Sequence, residues 1–325
     1  MKKKPILVVA GEPYSIFSEI FLKVYKDHIK KIKTPIVLIV SENLFRKQMK
    51  KLNFSFKINL INKKYLSKNY LNNNFINIIN VNFKFKKIFD KISNKSKTYI
   101  HECFNIALNI LKKNEAFGMI NGPISKKFFL NKKFPGITEY LSKKVNFKNE
   151  EVMLIYNSKL SVSPMTTHIP LKRVNKYITK KKIVKNVIKI NKFYKNVLNK
   201  KSSIAMLGLN PHCETTDKFN EEEKIIKPAI KLLKKKGINV NGPFSADTFF
   251  FSKNIKKYNL VIGMYHDQVL TPIKTLYKFD AINITLGLPF IRISPDHGTN
   301  NQMLGKNKSD HKSLLSSFKF FKKIK

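Results

Sequence analysis

Short apolar runs that each stop at a polar, glycine- or proline-bearing loop are the feature that most limits what this chain can fold into. Residues 5–10 end at Gly11-Glu12-Pro13, Ala116–Ile120 at Asn121-Gly-Pro123, Ile204–Leu207 at Gly208-Leu-Asn-Pro-His212, and Leu260–Met264 at Tyr265-His266. Such runs are too short and too uniformly apolar for surface helices and read as buried strands. Between them the period changes. Ile100, Cys103, Phe104, Ala107 and Leu111 follow helical spacing, as do Ile226, Ala229, Ile230 and Leu233 within Glu221–Leu233. Strands alternating with helices predict an α/β fold with a mostly parallel sheet between two helix layers, in which ligands gather at the C-terminal ends of strands.

The rest of the chain fits this alternation unevenly. A helical pattern covers 15–31, Ile36–Val40 is a second buried strand, and Ser41 is placed to cap the next helix. The stretch 51–97 is the least readable, with one strand expected at Phe75–Val81. Val152–Tyr156 predicts a strand, a shorter one follows, and Thr166-Thr-His-Ile-Pro170 closes that unit. A lysine-rich helix is expected near 180–199, a loop into a helix at 241–247, and a last clear strand at Ala281–Thr285. At 325 residues the chain is expected to form one two-lobed unit, and no linker or repeat marks a boundary between lobes.

The formal charge of +44 points first to nucleic acid. The pattern argues against it. Of 64 basic residues only Arg46, Arg173 and Arg292 are arginines, the lysines are spread along the whole chain, and no aromatic-interleaved basic motif occurs. The charge does favour small anionic ligands. It also singles out Arg292, because lysine cannot reproduce a bidentate guanidinium clamp on carboxylate or phosphate. Cys103 and Cys213 give no disulfide framework, and Cys103 falls on an apolar helix face. The apolar run at the start is too short for a signal peptide, and no stretch approaches the roughly 20 apolar residues of a membrane span. A cytoplasmic protein is expected.

Three histidines, His168, His212 and His266, sit in loops directly after expected strands, and three imidazoles with an open position suit a divalent ion such as zinc, cobalt or manganese. Each taken singly reads more readily as a hydrogen-bonded surface histidine, and it is the three in equivalent positions that favour a ligand set. Asp247, Asp267 and Asp296 are the nearest acids, able to orient those imidazoles, to accept protons, or simply to cap helices. The turn Asn121-Gly-Pro-Ile-Ser-Lys126 opens a helix where free N–H groups could meet a phosphate. No Gly-x-Gly, Walker A loop or His-Glu-x-x-His occurs. From residue chemistry alone the reading ends at a metal-assisted enzyme acting on a small anion.

The motifs taken together carry it further. Gly11-Glu-Pro13, Asn121-Gly-Pro-Ile-Ser-Lys126, Thr138-Glu139, Thr166-Thr-His-Ile-Pro-Leu171, Gly208-Leu-Asn-Pro-His212, Gly242-Pro-Phe-Ser-Ala-Asp-Thr248, Tyr265-His-Asp-Gln268 and Asn283–Thr299 resemble, in this order, the 4-hydroxythreonine-4-phosphate dehydrogenases of vitamin B6 biosynthesis. The resemblance implies an isocitrate/isopropylmalate-dehydrogenase-like fold with the active site in a cleft between lobes. It also implies a homodimer with a shared site, and NAD or NADP bound without a glycine-rich fingerprint. It implies one divalent ion (zinc, magnesium, cobalt or manganese) on His168, His212 and His266. Asp247, Asp267 and Lys274 become expected catalytic residues, and Thr138, Lys274, Asn283 and Arg292 expected contacts of a small phosphorylated substrate. The implied reaction oxidises 4-phosphooxy-L-threonine at C3 and decarboxylates the product to 3-amino-2-oxopropyl phosphate.

The chain departs from the family pattern at four places. Ile137 stands where the family has a histidine, Pro13-Tyr-Ser-Ile-Phe-Ser-Glu19 replaces a loop of small residues, Cys213 replaces a glycine, and Asn300-Asn-Gln-Met-Leu304 replaces Ala-Phe-Asp-Ile-Ala. Two alternative readings arise from these changes: a dehydrogenase of 4-phosphothreonate or 4-phosphoerythronate, and a non-catalytic anion-binding protein on the same fold.

Overall fold

The computed structural model describes residues 3–62, 66, 71–130, 133–146, 151–251, 253–278 and 280–324. The chain divides into two units, Met1–Asn149 with Leu288–Lys323, and Glu150–Gly287.

The first unit is built on β1 (Ile6–Val9), β2 (Ile36–Val40), β3 (Ile58–Leu60), β4 (Ile76–Asn80), β5 (Gly118–Asn121) and, returning from the far end of the chain, β12 (Ile291–Pro295). They lie in the order β3-β4-β2-β1-β5-β12, every neighbouring pair parallel. β1 and β2 are buried along their whole lengths, which is why they read as continuous apolar runs. The helix Lys97–Lys112 lays Tyr99, Ile100, Cys103, Phe104 and Ala107 onto the sheet, in one cluster with Leu7, Val37 and Met119. Cys103 is fully buried, as its place on the apolar stripe predicts.

The second unit contains β6 (Val152–Tyr156), β7 (Ser161–Pro164), β8 (Ile204–Leu207), β9 (Val240–Phe244), β10 (Leu260–Gly263) and β11 (Ile282–Leu286), in the order β11-β6-β7-β10-β8-β9. β6 runs antiparallel to both neighbours, and β7, β10, β8 and β9 are mutually parallel. The lysine-rich helix is Lys180–Asn196, where Thr179 Oγ1 accepts from the Lys182 backbone N–H and Ile183, Val187 and Ile190 form the buried stripe. Among the described residues no helix is long and apolar enough to cross a membrane.

Most elements fall where the sequence pattern puts them, but β3 is a second strand in the stretch 51–97, Ser41 stands at the N-cap without a side-chain cap bond, and three further differences occur. Residues 240–244, expected as a loop, pair with β8 as a strand, because Asn241-Gly-Pro243 hides an edge position behind turn-forming residues. β12 lies inside the motif-rich run 283–299. Glu222–Ile226 forms a wide π turn before the helix Lys227–Lys235 rather than one continuous α-helix.

The replaced loop 14–18 is absorbed into the first unit. Tyr14, Ile16 and Phe17 are buried, and the Phe17 ring lies against Gly122. Ser15 Oγ accepts from the Phe17 N–H and donates to the Glu12 carbonyl. A Cβ on Gly122 would stand 2.2 Å from the Ala10 carbonyl oxygen and 2.7 Å from the Phe17 ring. Gly122→Ala is therefore expected to cost at least about 2 kcal/mol in urea unfolding, whereas Gly298→Ala, which meets nothing within 4 Å, stays within about 0.5 kcal/mol.

Glu12 follows β1 and is buried, with Oε2 accepting from Ser96 Oγ at 3.0 Å and Oε1 without a hydrogen-bond partner. Burial pushes this carboxyl up to about 7, against the pull of hydrogen bonds from the Ser96 side chain and the Tyr14 backbone. The folded state thus holds the proton more tightly than the unfolded chain. The resulting stabilisation is fully present below about pH 4.5 and is lost as the pH rises through about 7. Glu12→Gln, neutral at every pH, is expected to match wild type near pH 4 and to exceed it by up to about 3 kcal/mol at pH 8, read from denaturant midpoints across that range.

Candidate functional site

In the first unit the candidate site is centred on Arg292, fully buried on β12. Its Nε donates to Asn121 Oδ1 at 2.6 Å, and an Nη donates to Thr138 Oγ1 at 3.2 Å. Parallel pairing of β12 with β5 sets Arg292 level with Met119, so the guanidinium reaches the end of β5, where Asn121 stands. Thr138 is presented by the helix Ile137–Lys144. Desolvation lowers the Arg292 pKa to about 10, opposed by the charge of Glu139, so the group remains cationic at neutral pH. A buried cation pinned by two neutral oxygens suits recognition of a carboxylate or phosphate. Ile137 packs on the apolar core of this unit rather than offering a polar contact. Behind β12, His297 stacks on Phe17 with ring centroids 6.4 Å apart, and burial lowers its pKa.

In the second unit the three histidine loops leave adjacent parallel strands. β10 lies between β7 and β8, so the loops carrying His168, His266 and His212 emerge at the same sheet edge. The first two are laced together: Met165 N–H donates to the Gly263 carbonyl, and both the N–H and Oγ1 of Thr166 donate to that of Met264. The His168 and His266 rings consequently stand 5.9 Å apart. His266 begins the helix His266–Tyr277, and its Nδ1 lies 2.6 Å from Asp267 Oδ1. His212 Nδ1 lies 3.7 Å from Asp247 Oδ2, on the helix Ala246–Phe249 that follows β9. Ser245 Oγ donates to Asp247, the main reason that carboxylate lies below its ordinary range, with the charge of His212 adding to it.

The loop that carries His212 is under backbone strain. His212 and Cys213 have φ of 53° and 62°, a left-handed conformation that costs a non-glycine residue roughly 1–2 kcal/mol. Cys213 occupies this conformation where the family pattern has glycine, the residue that adopts it at least cost.

The structure therefore brings His168 to His266 and His212 to Asp247. Among the described residues no three His, Cys, Asp or Glu side chains are gathered closely enough to hold a metal. The donor chemistry does fit a divalent ion. Two of the imidazoles face carboxylates through Nδ1, which leaves Nε2 for a ligand bond, the usual arrangement of metal-binding histidine. Of the expected substrate contacts, Asn283 lies on β11 with a buried Oδ1 that has no hydrogen-bond partner, and Lys274 is exposed on the helix His266–Tyr277. The sequence reading missed Asn121 as the acceptor for Arg292, and it missed Glu222 and Gln268 as holders of the histidine loops. Gln268 was visible within Tyr265-His-Asp-Gln268, and Glu222 is the middle of three consecutive acids in a chain with only 20.

A family model described as Pyridoxal phosphate biosynthetic protein PdxA matches residues 31–321. The chain is 38% identical over 316 residues to a 4-hydroxythreonine-4-phosphate dehydrogenase of Sulfurihydrogenibium sp., covering 96% of this chain and 95% of that one. It is 33% identical over 220 residues, 67% of each chain, to a D-threonate 4-phosphate dehydrogenase of Pectobacterium atrosepticum. Among solved structures, that of 4-hydroxythreonine-4-phosphate dehydrogenase from Klebsiella pneumoniae matches with a TM-score of 0.83 at 26% identity over 99% of both chains. The matched motifs, the parallel-strand framework and near full-length similarity to such relatives lead to one conclusion: this chain belongs to the PdxA family of pyridoxal phosphate biosynthetic proteins.

Proposed function

We propose that this protein is an NAD(P)-dependent dehydrogenase that oxidises 4-phosphooxy-L-threonine at C3 and releases CO2 to give 3-amino-2-oxopropyl phosphate. The observation that carries the reading is the emergence of the His168, His212 and His266 loops at the ends of adjoining parallel strands. Membership of the family supplies the reaction class.

His168, His212 and His266 would hold the divalent ion, which when bound lowers the proton affinity of the C3 hydroxyl and stabilises the negative charge left by loss of CO2. A nicotinamide nucleotide, when bound, would supply the acceptor for the hydride that leaves C3. Asp267 and Asp247 keep the Nδ1 side of His266 and His212 occupied and so fix each ring's orientation. Either carboxylate is also chemically suited to accept the hydroxyl proton. Arg292, held by Asn121 and Thr138, anchors an anionic group of the substrate, and Lys274 and Asn283 supply further polar contacts. A homodimer with a shared active site and a cytoplasmic location belong to the same reading.

One observation favours a second substrate. Ile137 packs on the core where the family motif has a histidine, removing a polar contact, and one relative is named for D-threonate 4-phosphate. Purified protein with NAD or NADP and Mn2+ or Zn2+ is expected to reduce the nucleotide with 4-phosphooxy-L-threonine and not with 4-phosphothreonate or 4-phosphoerythronate. The opposite preference establishes the second reading, and inactivity towards all three by metal-loaded protein establishes a non-catalytic one.

Arg292→Lys keeps the charge but loses the planar fork that meets Asn121 and Thr138. It is expected to lower kcat/KM at least about 100-fold, on the scale of one or two lost charge-assisted hydrogen bonds. An activity within about threefold of wild type in steady-state assays would remove Arg292 from the anion site.

A further inference from the structure

Two consecutive residues of the Gly208–Cys213 loop adopt a costly backbone conformation, one of them the expected metal ligand His212. A loop like this keeps one shape only if its surroundings over-determine it. The groups that do so converge on Glu222.

Glu222 is fully buried and its carboxylate faces the loop, beside Glu221, whose Oε2 also accepts from Asn210 Nδ2 at 3.0 Å. Oε1 accepts from the backbone N–H groups of Leu209 at 2.7 Å and Asn210 at 2.9 Å, and Oε2 accepts from Asn210 Nδ2 at 2.9 Å. Desolvation alone would raise its pKa, but the hydrogen bonds from Asn210 and Leu209 outweigh burial and draw it below the ordinary carboxylate range. Asn210, once held, shapes the next residues of the loop. Its carbonyl accepts from the Cys213 N–H at 3.1 Å, and the Pro211 carbonyl accepts from that of Glu214 at 3.0 Å, closing the turn around His212. Gly208 leaves room for this arrangement, since a Cβ there would stand 2.7 Å from Cys213 Sγ and 3.0 Å from Glu222 Oε1. On the other side, Gln268 Nε2 donates to the Gly208 carbonyl while its Oε1 accepts from the Met264 N–H, both at 2.7 Å.

We infer that Glu222 is a positioning residue for His212, its buried carboxylate holding the 208–213 loop in the one conformation that presents the imidazole to a divalent cation. The inference rests on the proposed role of His212 as a metal ligand. The effect of Glu222 would reach the ion through Asn210 and the turn. Removing such an outer partner weakens metal binding by on the order of 10–100-fold.

The test is calorimetric titration of Mn2+ into metal-free protein, with folding monitored by circular dichroism, for wild type, Glu222→Ala, Glu222→Gln and His212→Ala. Glu222→Ala is expected to stay folded and to bind Mn2+ about 10–100-fold more weakly. Glu222→Gln retains one acceptor for the two backbone N–H groups but turns an amide towards Asn210 Nδ2, and is expected to fall between the two. His212→Ala is expected to lose the site. Folded Glu222→Ala with wild-type affinity, beside a His212→Ala variant that has lost binding, overturns the inference. Wild-type affinity in His212→Ala overturns the ligand assignment instead. Should Glu222→Ala fail to fold, Glu222→Gln decides: affinity within about twofold of wild type overturns the proposal, and a larger loss sustains it.

Discussion

Parallel pairing of strands is the constraint on which the rest depends. A parallel strand can be reached only by a crossover, so every strand in such a set delivers its following loop to the same edge. In the second unit β7, β10, β8 and β9 obey this rule in succession, and the chain spends the resulting loops on His168, His266, His212 and Asp247 in that spatial order. In the first unit the same rule sets Arg292 of β12 beside the end of β5, within reach of Asn121. β6 pairs antiparallel with both β7 and β11.

Around this framework, polar groups are buried where they hold others in place. Glu222, Gln268 and Asn121 each satisfy backbone or guanidinium donors that would otherwise be stranded, and each does so close to a residue with expected chemistry. Burial of a charge with its donors matched costs far less than burial of a charge alone. Glu222 has every needed donor and stays below the ordinary carboxylate range, whereas Glu12, with one oxygen unmatched, is pushed up to about 7. The two carboxyls lie in different units: desolvation prevails at Glu12, and hydrogen bonds prevail at Glu222.

The departures from the family pattern resolve into different kinds. Tyr14, Ile16 and Phe17 fill space that small residues leave open, and the first unit accommodates them in its core. Ile137 packs against that core. Cys213, where the family pattern has glycine, adopts a left-handed backbone and carries the strain. The charge of +44, by contrast, rests on lysines scattered through the whole sequence and identifies no single surface.

The sequence by itself determined the strands, because a run such as Ile36–Val40 is apolar at every position only if both faces are buried. It determined the polar loops after them, and the identities of His168, His212, His266 and Arg292. It left β9 and β12 hidden, since Asn241-Gly-Pro243 reads as a turn and Ile291–Pro295 carries a buried arginine in place of an apolar residue. Only the tertiary structure decided strand order, and with it which loops become neighbours, because most pairing partners, β6 with β7 excepted, lie far apart in the chain and leave no local trace. For the same reason only the fold could show that Glu222 holds the loop of His212 and that Asn121 holds Arg292. A hydrogen bond depends on where two groups meet in space, which the spacing of residues along a chain does not encode.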